Sequence, residues 1–213
     1  GGVVHIPTGT YSVRGLHLQT DKGDESGRGR RAVRVIGDGR STILSMACST
    51  SPTSILFDYQ GSHGGLEHLS FQGPPAPCAS NVTAIHIGPS KLSLSKTAPN
   101  GTGPQTMTNY NRYVDLMISG VAEGIVTENG PGSPENRWDS GNWYNVFDSI
   151  LMEWVTRGFW ARNNQWRSRG GWGRNQGHPM RIGQFVNTGL HIEAGGTNTF
   201  YGCSFEGINV GHW

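Results

Sequence analysis

Cysteine is scarce: Cys48, Cys78 and Cys203 are the only three, and they form no CxxC pair. An odd count without that pair speaks against a disulfide framework and against a structural zinc site. No apolar run approaches the roughly 18 residues of a membrane-spanning helix, so membrane insertion is not expected. No helical period is sustained over about 12 residues. Neither sign of charge prevails, with 17 Lys and Arg against 15 Asp and Glu and a net charge of +2. A histone-like coat for polyanions is thereby excluded. The histidines show no HxH or HExxH spacing, so neither a metal nor another cofactor is expected. Gly37-Asp38-Gly39 lacks the third glycine of a dinucleotide fingerprint, since Thr42 stands in its place. No helical pattern follows, and the segment reads as a turn between strands.

What the chain has is glycine and short strand patterns. Its 33 glycines and 11 prolines take up about a fifth of the 213 residues, where roughly 12% is usual. Each interrupts a helix at a cost of about 1 to 3 kcal/mol, which disfavours a helical bundle. Seven Trp, seven Phe and six Tyr can furnish a core. Alternating or β-branched runs predict strands over 3–6, 11–13, 16–18, 33–36, 42–46, 54–57, 66–71 and 82–87. Residues 149–160 read as well by twos as by threes and fours. The polar stretches 20–31, 73–81, 89–109, 129–141 and 163–183 read as loops too long for hairpins.

A repeat runs through these strands. Residues 111–125 lie over 145–159 at an offset of 34, with Asn, aromatic, aliphatic, Val and Gly positions coinciding. A further copy begins at Asn198, and a degenerate earlier one covers 69–73. Leu69, Leu116, Ile150 and Cys203 then form one column, and Phe71, Ile118, Met152 and Phe205 the next. Coils that stack on one shared core, with inserts as outer loops, satisfy such a pattern. Stacked coils of short strands are a parallel β-helix.

The opening segment, Gly2-Val-Val-His-Ile-Pro-Thr-Gly-Thr-Tyr-Ser-Val13, resembles the first coil of pectate-lyase-like β-helices. Its form, G-x-V-x-[IL]-P-x-G-x-Y, recurs in bacteriophage tailspikes. Val35-Ile-Gly-Asp-Gly39 with Thr42-Ile43-Leu44, and then Leu66-Glu-His-Leu-Ser-Phe71, resemble the two coils that follow. The resemblance implies an all-β, right-handed, single-stranded parallel β-helix with long loops between coils. It implies one domain over 1–213, expected to be a fragment whose N-terminal attachment region and C-terminal part are missing. It further implies a homotrimer with other tail proteins as partners. The expected location is the virion tail, after assembly in the host cytoplasm, or the extracellular space for a cellular chain.

Chemistry is sought on the outer face. Side chains alternate along a strand, so inward Leu116, Ile118, Ile150, Met152 and Phe205 turn Ser119, Glu153 and Glu206 outward, with Gln72 heading that column. Two carboxylates one coil apart can supply a general acid beside a base. Glu153 and Glu206 are therefore the first catalytic candidates, and Glu193 and Asp148 the next. Two solvated surface glutamates, or a pair shielded by arginines, would look the same. Residues 157–181 hold six arginines and three tryptophans and no acid. Arg157, Arg162, Trp160, Trp166, Arg167 and Trp172 are the candidates for substrate binding. Arginine forks pair with carboxylates, and Trp faces stack on sugar rings. The same composition serves a subunit contact or single-stranded nucleic acid, the latter disfavoured.

The function expected is binding, and cleavage by hydrolysis or β-elimination, of a bacterial surface polysaccharide such as capsule or lipopolysaccharide. One alternative is a non-enzymatic structural or adhesive virion fibre. Another is a secreted cellular pectin-type lyase or hydrolase.

Overall fold

The computed structural model describes residues 2–13, 15–19, 32–48, 54–75, 78–88, 108, 110–128, 144–162, 172–173, 176–177, 180–183, 188–192, 195–196 and 199–205. The eight strands expected up to residue 87 are present: Gly2–Ile6, Gly9–Val13, Leu16–Gln19, Val33–Gly37, Thr42–Met46, Ser54–Gln60, Gly65–Gln72 and Val82–Ile87. Residues 149–160 resolve in favour of the period of two, within the strand Ile150–Arg162. Among the described residues the only helical element is the 3-10 turn Cys78–Asn81.

The chain is all-β, and its strands pair in parallel throughout the described residues to make one large curled sheet, apart from which Trp172–Gly173 and Gly195–Gly196 pair as a second, two-stranded sheet. The register resolves into three ladders. The first runs from Gly2–Ile6 to Val33–Gly37, then through the starts of Gly65–Gln72 and Arg112–Glu128 to Val146–Asp148, Gln176–Gly177 and Thr199–Phe200. The second runs from Gly9–Val13 through Thr42–Met46 to Met180–Gly183 and Ser204–Phe205. The third joins Leu16–Gln19, Ser54–Gln60, Val82–Ile87, the ends of the two long strands, and Thr188–Ile192. Arg112–Glu128 passes through all three ladders, which is why they form a single sheet.

The sequence repeat is the pairing register. Asn111 hydrogen-bonds Asn145 at a separation of 34, and Val114 faces Asp148 and Ile125 faces Phe159 at the same step. One coil escaped the alignment. Met180 follows Ile150 in its column, and Ile182 stands between Met152 and Phe205. The strand Met180–Gly183 lies in the stretch 163–183 that reads as a loop. That reading is corrected: Trp172–Gly173 and Gln176–Gly177 are strands as well. Two-residue strands beside glycines are too short to show alternation, so the sequence pattern could not mark them.

The sheet curls because single residues at fixed places adopt the left-handed conformation. His68, Asp115 and Ser149, at φ 57°, 50° and 57°, turn the chain from the first ladder into the second. Gly120 and Trp154, at φ 65° and 58°, turn it from the second into the third. His63, Tyr110 and Tyr144 do so ahead of the first ladder, at φ 60°, 56° and 55°. Each non-glycine residue there costs about 1 to 2 kcal/mol, so neighbouring contacts must hold it. Buried asparagines do this before the first ladder. Asn145 Oδ1 accepts the Asn111 N–H at 2.9 Å, and Asn111 Oδ1 accepts the Gly64 N–H at 3.0 Å. Their amide groups donate to the carbonyls of Thr108 and Gly61, both at 2.8 Å. At Gly65, φ is +141° and a Cβ would run into the Arg112 carbonyl, so only glycine fits that rung.

Inside the curl lies an apolar core. Leu69, Leu116, Ile150, Phe71, Ile118 and Met152 are all buried, as their columns require. Tyr113 stacks on Phe147 at 4.8 Å, and Phe147 meets Phe159 edge to face. The opening motif has a structural reason too. Tyr11 donates its hydroxyl to the Pro7 carbonyl at 3.0 Å, closing the turn between the first two strands. Asp38 accepts the Thr8 N–H at 3.0 Å and meets His5 Nε2 at 2.6 Å. Those bonds, His5 foremost, hold its carboxyl below the usual range.

Cysteine behaves against expectation. Cys48 and Cys78 form a disulfide, with Cα atoms 5.5 Å apart across 30 residues. Cys48 lies just past the strand Thr42–Met46 and Cys78 opens the 3-10 turn, a proximity that spacing alone cannot reveal. Closing a loop of that length is worth about 3.6 kcal/mol in the chain-entropy account. Cys48→Ser is therefore expected to lower unfolding stability by about that amount. Equilibrium urea denaturation checks this, and an unchanged midpoint would contradict it.

Candidate functional site

The outer column of the second ladder runs Ser45, Gln72, Ser119, Glu153, Gly183. Glu153 is half-buried there, next to the exposed bend residue Trp154, which keeps 54% of its surface. Glu206 lies outside the described residues. The strand leading to it, Ser204–Phe205, pairs with Met180–Gly183 and not with the strand of Glu153. Met180–Gly183, the coil missing from the alignment, stands between those two strands.

Asp148 ends the strand Val146–Asp148, opposite Val114 as the alignment requires, and accepts the Ser149 hydroxyl at 3.0 Å. It belongs to the first ladder, while Glu153 belongs to the second. Glu193 lies outside the described residues. The strand before it, Thr188–Ile192, lines up with the last part of Ile150–Arg162.

Two of the six binding candidates meet. Arg157 and Trp160 lie on a strand of the third ladder. The Arg157 guanidinium sits 4.4 Å above the Trp160 ring, and Trp160 stacks with His191 at 5.6 Å. Arg157 also donates to Glu123 at 3.1 Å. Glu123 in turn accepts the Thr83 hydroxyl at 2.7 Å. So a cation, an indole and an imidazole form one stack, in which Arg157 and His191 are exposed and Trp160 is half-buried between them. The His191 ring, on the strand Thr188–Ile192, extends the stack. Arg162 and Trp172 have described backbones, facing Glu128 and Gly195 respectively. Trp166 and Arg167 lie outside the described residues.

A second polar cluster was not foreseen. His17, Asp58 and His86 occupy successive rungs of the third ladder. His86 Nδ1 meets Asp58 Oδ1 at 2.7 Å, and its Nε2 lies 3.4 Å from Glu128 Oε2. His17 Nδ1 lies 3.3 Å from the other Asp58 oxygen. Asp58, His86 and Glu128 are all buried. Burial pulls the His86 pKa down, but hydrogen bonding and charge from Asp58 and Glu128 outweigh it and the net shift is upward. The one sequence signal was an acid inside the apolar run Ile55-Leu56-Phe57-Asp58-Tyr59. Being buried, the cluster cannot meet a polymer substrate. Among the described residues, no group of His, Cys, Asp and Glu is arranged to hold a metal ion.

Two surface clusters brace the bends. Asp115 takes the Arg40 Nε–H at 2.9 Å and meets His68 Nδ1 at 3.0 Å. Burial raises its pKa, yet these two partners prevail and hold it below the usual value. Arg34 grips Glu67 through two hydrogen bonds, at 3.0 and 2.6 Å, between the second and third coils.

No protein-family model matches the chain, and no curated protein matches it. A solved structure of Geobacillus virus E2, ORF18, is similar in fold, with a TM-score of 0.50 at 13% identity. The similarity covers 95% of this chain, which spans 40% of the length of that protein.

Proposed function

We propose that the chain is a right-handed parallel β-helix from the body of a tailspike-like virion protein, and that it binds and depolymerises a bacterial surface polysaccharide. Three ladders visited in turn by successive coils support the solenoid reading. Right-handedness follows from the crossover rule for parallel strands, obeyed in about 98% of cases. The fold shared with a protein of a Geobacillus virus supports the virion setting.

The observation that carries the binding reading is the stack of Arg157, half-buried Trp160 and His191 at the surface. An indole offers an apolar face to sugar C–H groups, and a guanidinium offers a fork to carboxylates. An acidic glycan needs both. Glu153, one bend upstream of this stack, is the carboxylate placed to act on the bound chain. Glu206 is its proposed partner, the two carboxyl groups acting as the acid and base of a glycoside hydrolysis. In that mechanism one carboxylic acid protonates the leaving oxygen, and the other carboxylate takes a proton from the attacking water. The trimer and the contacts with other tail proteins belong to the same reading.

Binding is tested on an array of purified capsular and lipopolysaccharide glycans. Wild-type protein is expected to bind a restricted set of acidic glycans, and Trp160→Ala to weaken that binding roughly thirtyfold. Absence of binding to any glycan would overturn the reading.

A further inference from the structure

Outside the face just described, the structure carries a row of exposed rings. His63 stacks on Tyr110 at 4.9 Å with planes 10° apart, and Tyr110 stacks on Tyr144 at 4.8 Å with planes 5° apart. The three residues precede the first ladder on successive coils. Tyr110 keeps 50% of its surface and Tyr144 39%. We propose that this row is a second glycan-binding track, along which a linear, oxygen-rich polysaccharide lies parallel to the stacking direction. The inference rests on the polysaccharide reading above and adds a site to it.

Three observations lead there. All three residues sit in the left-handed conformation, at φ 60°, 56° and 55°. Glycine, asparagine and histidine enter that region at least cost, and a tyrosine there is an outlier. Yet the chain places rings at three successive coils, so something other than backbone preference selects them. Second, Tyr110 is covered on both faces by its neighbours, so its outward part is an edge, and an aromatic edge is the positive part of its quadrupole. Tyrosine hydroxyls and an imidazole add hydrogen-bond donors. Exposed Arg112, two residues after Tyr110, adds positive charge. Such a row selects oxygen-rich ligands over apolar ones. Third, the row is stiff and periodic. The buried amides of Asn111 and Asn145, each next in sequence to a ring, lock the rungs. A ligand with one sugar per rung binds without ordering the protein further.

Substitution by asparagine tests this without breaking the bend, because asparagine accepts the left-handed conformation. The triple variant His63→Asn, Tyr110→Asn, Tyr144→Asn is compared with wild type on the glycan array, using a glycan that wild type binds. Affinity is expected to fall at least about tenfold, while circular dichroism and thermal melting report a folded protein. The double variant Tyr110→Phe, Tyr144→Phe keeps the stack and removes only the hydroxyls. Its affinity is expected to fall by about three- to tenfold. Wild-type affinity in both variants would overturn the track, and would leave the face of Trp160 as the binding surface. If wild type binds no glycan at all, the polysaccharide reading falls first and the track with it.

Discussion

Asp58→Asn is expected to lower unfolding stability by about 3 to 5 kcal/mol at neutral pH, the range for removing one partner of a buried ion pair. Asp58 sits between two histidines, His17 at 3.3 Å and His86 at 2.7 Å. Without its charge, buried His86 keeps only Glu128 as a counter-ion. The same cluster sets a pH dependence. The folded pKa of His86 is raised above its ordinary value. Its contribution is therefore fully present below the unfolded pKa of about 6.5, and fades as pH rises through the higher folded pKa. Stability of the wild type is expected to decline across that window as the imidazolium loses its proton between two carboxylates. His86→Asn is expected to remove this decline. Urea unfolding at a series of pH values measures both. A loss below about 1 kcal/mol for Asp58→Asn, or a wild-type stability that rises through the window, would contradict the cluster's role.

Glu153→Gln is expected to cut the depolymerisation rate by about 10²- to 10⁴-fold, the usual contribution of a general acid or base. Glutamine keeps the shape of the side chain and removes only its capacity to ionise. Neighbouring rungs carry Ser119 and Gly183, so no charged partner in that column is left stranded by the change. Stability is accordingly expected to stay within about 0.5 kcal/mol of wild type. Binding to the array-selected glycan is expected to persist, which separates a catalytic loss from a structural one. Reducing ends released per unit time are the readout. A loss of less than about tenfold would place the chemistry on another carboxylate.

Much of the architecture was legible because its causes are local. Alternation in Val82–Ile87 and Thr42–Met46 marks strands directly. The coincidence of Asn111 with Asn145 and of Tyr113 with Phe147 marks stacking, since a buried amide and a stacked ring each need a like neighbour on the next coil. What stayed hidden has non-local or very short causes. Met180–Gly183 pairs on both sides through four residues, too few to show a period. The disulfide joins a strand end to a 3-10 turn, a meeting set by how the coils stack. The Asp58 and His86 pair needs the register of Ser54–Gln60 against Val82–Ile87, which neither strand encodes alone. For the site, Arg157 and Trp160 were identified by composition, and their contact depends on the strand that carries them.

The most direct measurement is depolymerisation of the array-selected polysaccharide by wild-type protein, following product size together with the ultraviolet absorbance of an unsaturated sugar. Shortening without new absorbance is the expected result, and it supports hydrolysis by a carboxylate pair. Shortening with new absorbance would contradict the hydrolytic mechanism and favour elimination. A polysaccharide that is bound and never shortened would contradict the enzymatic claim and leave an adhesive fibre.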